Sequence, residues 1–541
     1  MADPEASRRL SRRAFMRVSL VTGTGALLAV CEQAEPSSPM AAPVTRAEAA
    51  KLAAAAKFQF DEWVIAFSED ISGLDPLATT SGAIYYNVFC HIFDSLIGYE
   101  GPNFTPTPRL AESWRYVNEN TLEMKLRRGV KFHNGEDFSA DDVLYTYQGH
   151  KSNAKLGTGY VFDPVEKLEK VDPHTIRWTT KGALASLMPN IAQVLFVVPK
   201  SRANIGEEVF GKRPVGTGMY KLAADWARDQ PVRLTAHEAY WGGPGASPQR
   251  LQFKFIREPS TRVAELQNGT VHVAENIPLP QVELLKRGAN TDVVAMKGAR
   301  IIMHSFNIGK EPFTNVKVRQ AVNYAIDRDA VVKSLLQGYG QPHVGLFAPG
   351  WMGDGAKVEP YTFNVQKAKR LLAEAGLPSG FEFEWQVTEG VFLKDREIAE
   401  SVAAQLTQAG ITAKLKITER ATIFDRFFAG KYDVISTQWP TTADPDRYLQ
   451  WLFIRTKAIN DAKEADPVRQ MMGEGRRILD PAKRVQKYQE MSKLVYDSAM
   501  LMFVHVQDEL YGINKRTGWT PYPVRAIATM HWYATHPTIK R

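Results

Sequence analysis

Cysteine is almost absent from the 541 residues, which hold Cys31 and Cys90 and no other. If Cys31 belongs to an export segment, the mature chain keeps one thiol, so no intramolecular disulfide can brace it and no cysteine-rich metal site can form. The eleven histidines are dispersed, with no H-x-H or i, i+4 pair. His133, His304, His343 and His505 therefore read as ordinary strand or turn residues, and no metal or other cofactor is expected. Long apolar runs are missing too: after the N-terminal segment nothing reaches the roughly 18 consecutive apolar residues of a transmembrane helix. G-x-S-x-G, H-E-x-x-H and G-x-x-x-x-G-K-[ST] do not occur, so no enzyme is expected. Paired-carboxylate chemistry escapes motif reading, which leaves an envelope hydrolase as a remote alternative.

What is present is a globular composition, 44% hydrophobic and 23% charged, in a chain long enough for two or three domains. The net charge is +8, but Lys and Arg are interleaved with acids, as between Arg115 and Arg128. That pattern gives a solvated basic surface and no nucleic-acid partner. Ser11-Arg12-Arg13-Ala14-Phe15-Met16, followed by a short apolar run from Val18 to Val30, reads as a twin-arginine export signal over residues 1–31. Leu28-Ala29-Val30-Cys31 resembles a lipoprotein cleavage box, although Val30 replaces the usual small residue; cleavage near Ser37 to Ala42 is the alternative to lipidation of Cys31. Residues 32–56, rich in Ala, Pro and Ser, form a tether.

From Phe58 onward short apolar runs alternate with amphipathic helices, the pattern of an α/β protein. Phe381, Phe383 and Trp385 alternate with acids in a strand. Asp395 to Ala409 spaces Ile398, Val402 and Leu406 four apart in a helix stopped by Gly410, and Ile411 to Ile417 forms a second strand. A helix from Thr422 to Ala429 then leads into a strand from Tyr432 to Thr437. Asn315 caps a helix carrying Val318, Val322, Ala325 and Val332 on one face and closing near Gly338. Asn364 caps another, with Val365, Ala368, Leu371, Leu372 and Ala375 inward.

Several segments carry a resemblance. They are Pro108 to Trp114, continuing through Leu126-Arg127-Arg128-Gly129-Val130-Lys131-Phe132-His133-Asn134-Gly135 to Ser139-Ala140-Asp141-Asp142-Val143; Pro214 to Tyr220; Tyr240-Trp241-Gly242-Gly243; and Asn315 to Asp327. In order and spacing they resemble the extracellular solute-binding protein family 5, the peptide/nickel type that serves ABC importers. Within this pattern Ser139 and Asp142 form a capping box. The resemblance implies a large two-lobed periplasmic-binding-protein-like α/β fold of the cluster C type, closing on its ligand about a hinge. Lobe 1 is expected over 57–300 plus 512–541, with an extra subdomain at about 77–205, and lobe 2 over 301–511. The strands crossing between them are placed near Ile301 to Asn307 and Phe503 to Tyr511. The function implied is capture of a small solute, an oligopeptide or peptide-like compound, for an ABC permease and its ATPase. The protein is expected to be an extracytoplasmic monomer, touching the membrane only through a lipid anchor or the permease.

Ligands of open α/β sheets meet the loops beyond the carboxyl ends of parallel strands. Two such loops are Thr388 to Phe392 and Trp439 to Thr442. In the resembled dipeptide binders they supply an arginine for the ligand carboxylate and an aspartate for its amine. Here Glu389 stands at the arginine position, and no acid lies between Trp439 and Ala443. Glu389 would favour a cationic group or sugar hydroxyls, which makes a cationic amino-acid conjugate or an oligosaccharide the alternative cargo. Trp439 is the candidate stacking surface, with Thr441, Thr442, Phe392, Tyr85 and Tyr86 as further ligand contacts. Asp444-Pro445-Asp446 reads as a structural turn.

Overall fold

The computed structural model describes residues 60–79, 83–100, 105–153, 156, 158–243, 248–440 and 444–519. Arg12, Arg13, Cys31 and the tether lie outside the described residues. Among the described residues no helix is long and apolar enough to cross a membrane.

Eleven of the described strands form one sheet. In one half, strand Glu62–Phe67 runs parallel to both Arg250–Phe255 and Val273–Ala274. Its period of two divides it between faces: Trp63, Ile65 and Phe67 join one hydrophobic cluster, Val64 and Ala66 another. In the other half Phe381–Val387 runs parallel to Ile411–Ile417 and Val434–Pro440. It carries Phe383, Trp385 and Val387 into a third cluster. Between the halves lie two long antiparallel strands, Thr291–Phe306 and Leu501–Asn514, paired from Thr291 opposite Asn514 to Ser305 opposite Leu501. A separate antiparallel sheet joins Ala111–Asn118, Thr121–Leu126, Thr175–Thr180 and Val165–Asp172.

The segments that carried the resemblance meet in space as scaffold. His133 Nε2 lies 2.9 Å from the Gly218 carbonyl, and the His133 N–H donates to the Gly216 carbonyl. A Cβ on Gly216 would stand 2.0 Å from the Ile92 carbonyl oxygen, so only glycine allows this approach. Buried Asp94 accepts from Thr217 Oγ1 at 3.0 Å and from Trp241 Nε1 at 2.9 Å, while Arg127 lies over the Trp241 ring. The capping box is formed: Ser139 Oγ accepts from the Asp141 N–H, and the Asp142 carboxylate accepts from the Ser139 N–H at 2.8 Å. Asp142 also accepts from the Lys200 N–H, tying the helix Ala140–Ser152 to the chain beyond it.

The Asn315 cap is present, but its helix is shorter than the periodicity suggests. It spans Val316–Tyr324 and ends at Ala325. Asp327 then caps a new turn by accepting from the Ala330 N–H, while its own N–H donates to Gln405, and Val332 falls in a π-helical segment. The break has a cause in the same motif. Arg319 donates to the Phe313, Ser498 and Ala499 carbonyls, and Asn323 pairs with the Leu501 carbonyl and the Phe503 N–H. These bonds fasten the helix to the start of strand Leu501–Asn514, and the chain must turn to stay on it. Asn364 caps Val365–Glu374 as read, burying Ala368 and Leu372.

Candidate functional site

Beyond strand Phe381–Val387 the chain turns through Thr388–Lys394 into the helix Asp395–Thr407. Asp395 organises this turn. Its carboxylate accepts from Thr388 Oγ1 at 2.8 Å and from the N–H groups of Gly390 at 2.9 Å, Val391 at 3.2 Å and Phe392 at 3.4 Å. Gly390, at φ +72°, supplies the left-handed residue the turn requires. Glu389 points to solvent and accepts from Arg396 Nη1 at 2.8 Å; Arg396 also donates to Glu400. Phe392 is half-buried, with the Arg300 guanidinium 5.8 Å from its ring centroid. Together with Ile302, His304, Thr388, Asp395, Ser436 and His505 it lines a small cavity.

Trp439 lies on the opposite face of the sheet, paired with Ile301. It is 5% exposed, with the Tyr448 ring at 4.0 Å, the Trp451 ring at 5.2 Å and its indole N–H directed at Met303 Sδ. Thr441 and Thr442 lie outside the described residues, as does the side chain of Tyr86. Tyr85 is buried; its hydroxyl meets the Ser72 N–H and Oγ at 3.1 and 2.9 Å, and its ring lines a second small cavity with Phe89, His150 and Gln193. The site residues are thus not one constellation: Glu389 and Phe392 share a loop, Trp439 sits within an aromatic cluster, and Tyr85, on helix Ala83–Ile92, packs into the hydrophobic cluster of the other half.

The Asp-Pro-Asp turn is built into the interior. Asp444 takes both terminal nitrogens of Arg484, and Asp446 pairs with Arg476 and with Gln450 Nε2. Both carboxylates are buried.

The polar floor between the two halves was not foreseen from the sequence. Arg300, buried on one long strand, donates through Nε and Nη2 to Glu509 on the other and through Nη1 to Gln438. Tyr511 donates to Glu509 at 2.6 Å, and Lys297 pairs with Asp508 at 2.6 Å. Nearby Glu275, at the carboxyl end of Val273–Ala274, accepts from the Ser68 N–H and Oγ, both at 2.7 Å. Burial pushes the Glu275 carboxyl up, and the Ser68 bonds only partly oppose that. The available signal was an acidic pair, Asp508-Glu509, inside the apolar stretch Leu501 to Tyr511. Such a pair is affordable only beside a cation, and Arg300 is 209 positions away.

His304, His343 and His505 cluster in the interior, and burial holds them low: His505 near 4, His343 near 3, His304 well below its ordinary value. Burial likewise holds His133 near 4. Among the described residues no group of His, Cys, Asp or Glu is arranged to hold a metal ion.

Comparison with known proteins gives a consistent picture. The family model described as "Bacterial extracellular solute-binding proteins, family 5 Middle" matches residues 105–460. The heme-binding protein A of Haemophilus influenzae is 28% identical, with 84% of this chain and 87% of that protein aligned. The dipeptide-binding protein of Escherichia coli is 26% identical over 80% of this chain and 86% of its own. Among solved structures, the periplasmic binding protein DppA of Helicobacter pylori in complex with the peptide STSA superposes with a TM-score of 0.74 at 26% identity, covering 84% of this chain and 94% of that one.

Proposed function

Because the chain belongs to the bacterial extracellular solute-binding proteins of family 5, we propose that it is the substrate-binding component of an ABC importer, enclosing an oligopeptide or peptide-like solute between two lobes for delivery to a permease. The observation that carries this reading is the likeness, over 84% of the chain, to a binding protein solved with a bound peptide; a relative named for dipeptides supports it. The role is capture, not catalysis. The protein reaches the extracytoplasmic space by the twin-arginine route through Arg12 and Arg13. It works as a monomer, either released or held by a lipid on Cys31, with lobes at 57–300 plus 512–541 and at 301–511, of which residues 57–59 and 520–541 lie outside the described residues.

The contacts we assign to cargo are Glu389, Phe392, Trp439, Thr441, Thr442, Tyr85 and Tyr86. Main-chain hydrogen bonding gives peptide affinity with little dependence on the side chains at these positions. A cationic conjugate or an oligosaccharide is the second reading and rests on Glu389. The ion pair of Glu389 with Arg396 already supplies the cation that such a ligand would offer, which weakens it.

A thermal-shift panel of di- to pentapeptides, cationic amino-acid derivatives and oligosaccharides tests the assignment. A ligand at 100 times its Kd adds about 2.7 kcal/mol, which is a shift of several degrees. Stabilisation by peptides is expected. Stabilisation by oligosaccharides with none by any peptide overturns the peptide reading.

A further inference from the structure

The acids near the ends of the parallel strands mostly have partners already. Glu389 pairs with Arg396, Asp444 with Arg484 and Asp446 with Arg476. Asp395 is taken up by the amides of its own loop. On the two long strands Glu509 holds Arg300 and Asp508 holds Lys297. Beyond strand Glu62–Phe67, Glu69 pairs with Arg420, and Asp70 accepts from the Ile71 N–H with Arg257 4.0 Å away.

Glu275 differs from all of these. It is half-buried at the carboxyl end of Val273–Ala274, beside the end of the parallel strand Glu62–Phe67, where ligands of open α/β sheets meet the chain. Both bonds to its carboxylate, from the Ser68 N–H and Oγ, arrive at Oε1. Among the described residues Oε2 has neither a hydrogen-bond donor nor an ion-pair partner. The support beneath is fixed: buried Arg262 donates to the carbonyls of Ile256, Arg257, Glu275 and Asn276, so its guanidinium is engaged with main chain. Asn276 takes φ +52°, a left-handed conformation that asparagine tolerates, and its Nδ2 donates to Ser68 Oγ at 2.7 Å. The chain from Asn276 through Ser68 thus spends its donors on Oε1 and leaves Oε2 unclaimed. A carboxylate withdrawn from water without a cation is costly to keep ionised, and both burial and Glu509 push this one up. An ammonium hydrogen-bonded to Oε2 would supply the missing charge and the missing donor together.

We propose that Glu275 receives the ammonium group of the cargo, the free amino terminus of a peptide, with Ser68 and Asn276 as positioning residues. The proposal deepens the peptide reading and rests on it for the source of the amine.

Thermal-shift titrations of the full chain with di- to pentapeptides and with amino-acid amides, each as the free amine and as its N-acetyl counterpart, read the site. The wild type is expected to bind the free amines at least about tenfold more tightly than the acetylated forms, and Glu275→Gln, which keeps an acceptor for Ser68, to lose that preference. If Glu275→Gln fails to fold by circular dichroism, Ser68→Ala decides, since loosening the carboxylate is expected to narrow the preference and an unchanged one overturns the proposal. Acetylated peptides that bind the wild type as tightly as free ones overturn the proposal and leave the peptide reading standing, as does a folded Glu275→Gln that keeps the full preference. Amides that bind through Glu275 while no peptide binds remove the peptide reading and leave the ammonium site standing. If no free amine stabilises the wild type, the proposal falls.

Discussion

Two carboxylate–arginine couples lie beyond the ends of neighbouring strands in the same lobe, Glu389 with Arg396 after Phe381–Val387 and Asp444 with Arg484 after Val434–Pro440. The chemistry is the same and the surroundings are opposite. The Glu389 and Arg396 side chains are 51% and 47% exposed, those of Asp444 and Arg484 3% and 5%. Arg484 also donates to the Gly475 carbonyl and the Tyr488 hydroxyl. An exposed pair forms and breaks at little cost because water replaces either partner. A buried pair cannot be broken without leaving a bare charge in a poorly polarisable interior. The second loop is therefore bolted at its far end, while the first is shaped by Asp395 and leaves Glu389 accessible.

The largest expected effect breaks the buried couple. Asp444→Ala strands the Arg484 guanidinium and is expected to lose about 3–5 kcal/mol of stability, read as a lower urea midpoint with an unchanged slope. A loss under about 1 kcal/mol would place this pair with the surface ones and dissolve the contrast.

A second test uses buried groups that carry no charge at neutral pH. His505 is held near 4 and His343 near 3 by burial, below the ordinary value of about 6.5. Between about pH 6.5 and 4 the unfolded chain binds protons that the folded chain refuses, so stability falls as pH falls through that window. His304 and His343 face this site, Arg328 lies beside His343, and Asp395 shares the cavity lined by His304 and His505. Replacing His505 by Gln removes one such proton. The slope of unfolding free energy against pH in that window is expected to flatten by up to about 1.4 kcal/mol per pH unit. An unchanged slope in urea titrations at pH 6 and 5 would show that His505 titrates normally in the folded protein.

These cases also show what a sequence can reveal. The capping box at Ser139, the Asn364 cap and the strands around Trp385 were legible because their determinants lie within a few residues. The segments from Lys131 to His133, Pro214 to Tyr220 and Tyr240 to Trp241 identify the family because they meet around Asp94 and His133, where even an added Cβ on Gly216 would collide. That makes them architecture, and they carry no information about cargo. Trp439 shows the limit: its place at a strand end was readable, but its enclosure by Tyr448 and Trp451 depends on how the chain folds back after the Asp-Pro-Asp turn. The Arg300–Glu509 couple was hidden for the same reason, since 209 positions separate its partners. The break at Ala325 went unseen because hydrophobic periodicity does not register the carbonyls of Ser498 and Ala499 that Arg319 reaches in the turn before strand Leu501–Asn514.

The smallest effect belongs to the exposed couple and is the most informative about function. Glu389→Gln removes a surface charge whose partner keeps Glu400 at 2.8 Å, so stability is expected to change by less than about 0.5 kcal/mol. Any change in ligand affinity can then be assigned to the cleft and not to folding. A peptide held mainly through its backbone should bind Glu389→Gln and wild type alike. A cation seated on this carboxylate should lose binding by a factor of ten or more, since a charge-assisted hydrogen bond contributes about 1.5–3 kcal/mol. Titration calorimetry with whichever ligand stabilises the wild type separates the two: a tenfold loss seats a cation of the cargo on Glu389, and an unchanged affinity leaves this carboxylate to Arg396 alone.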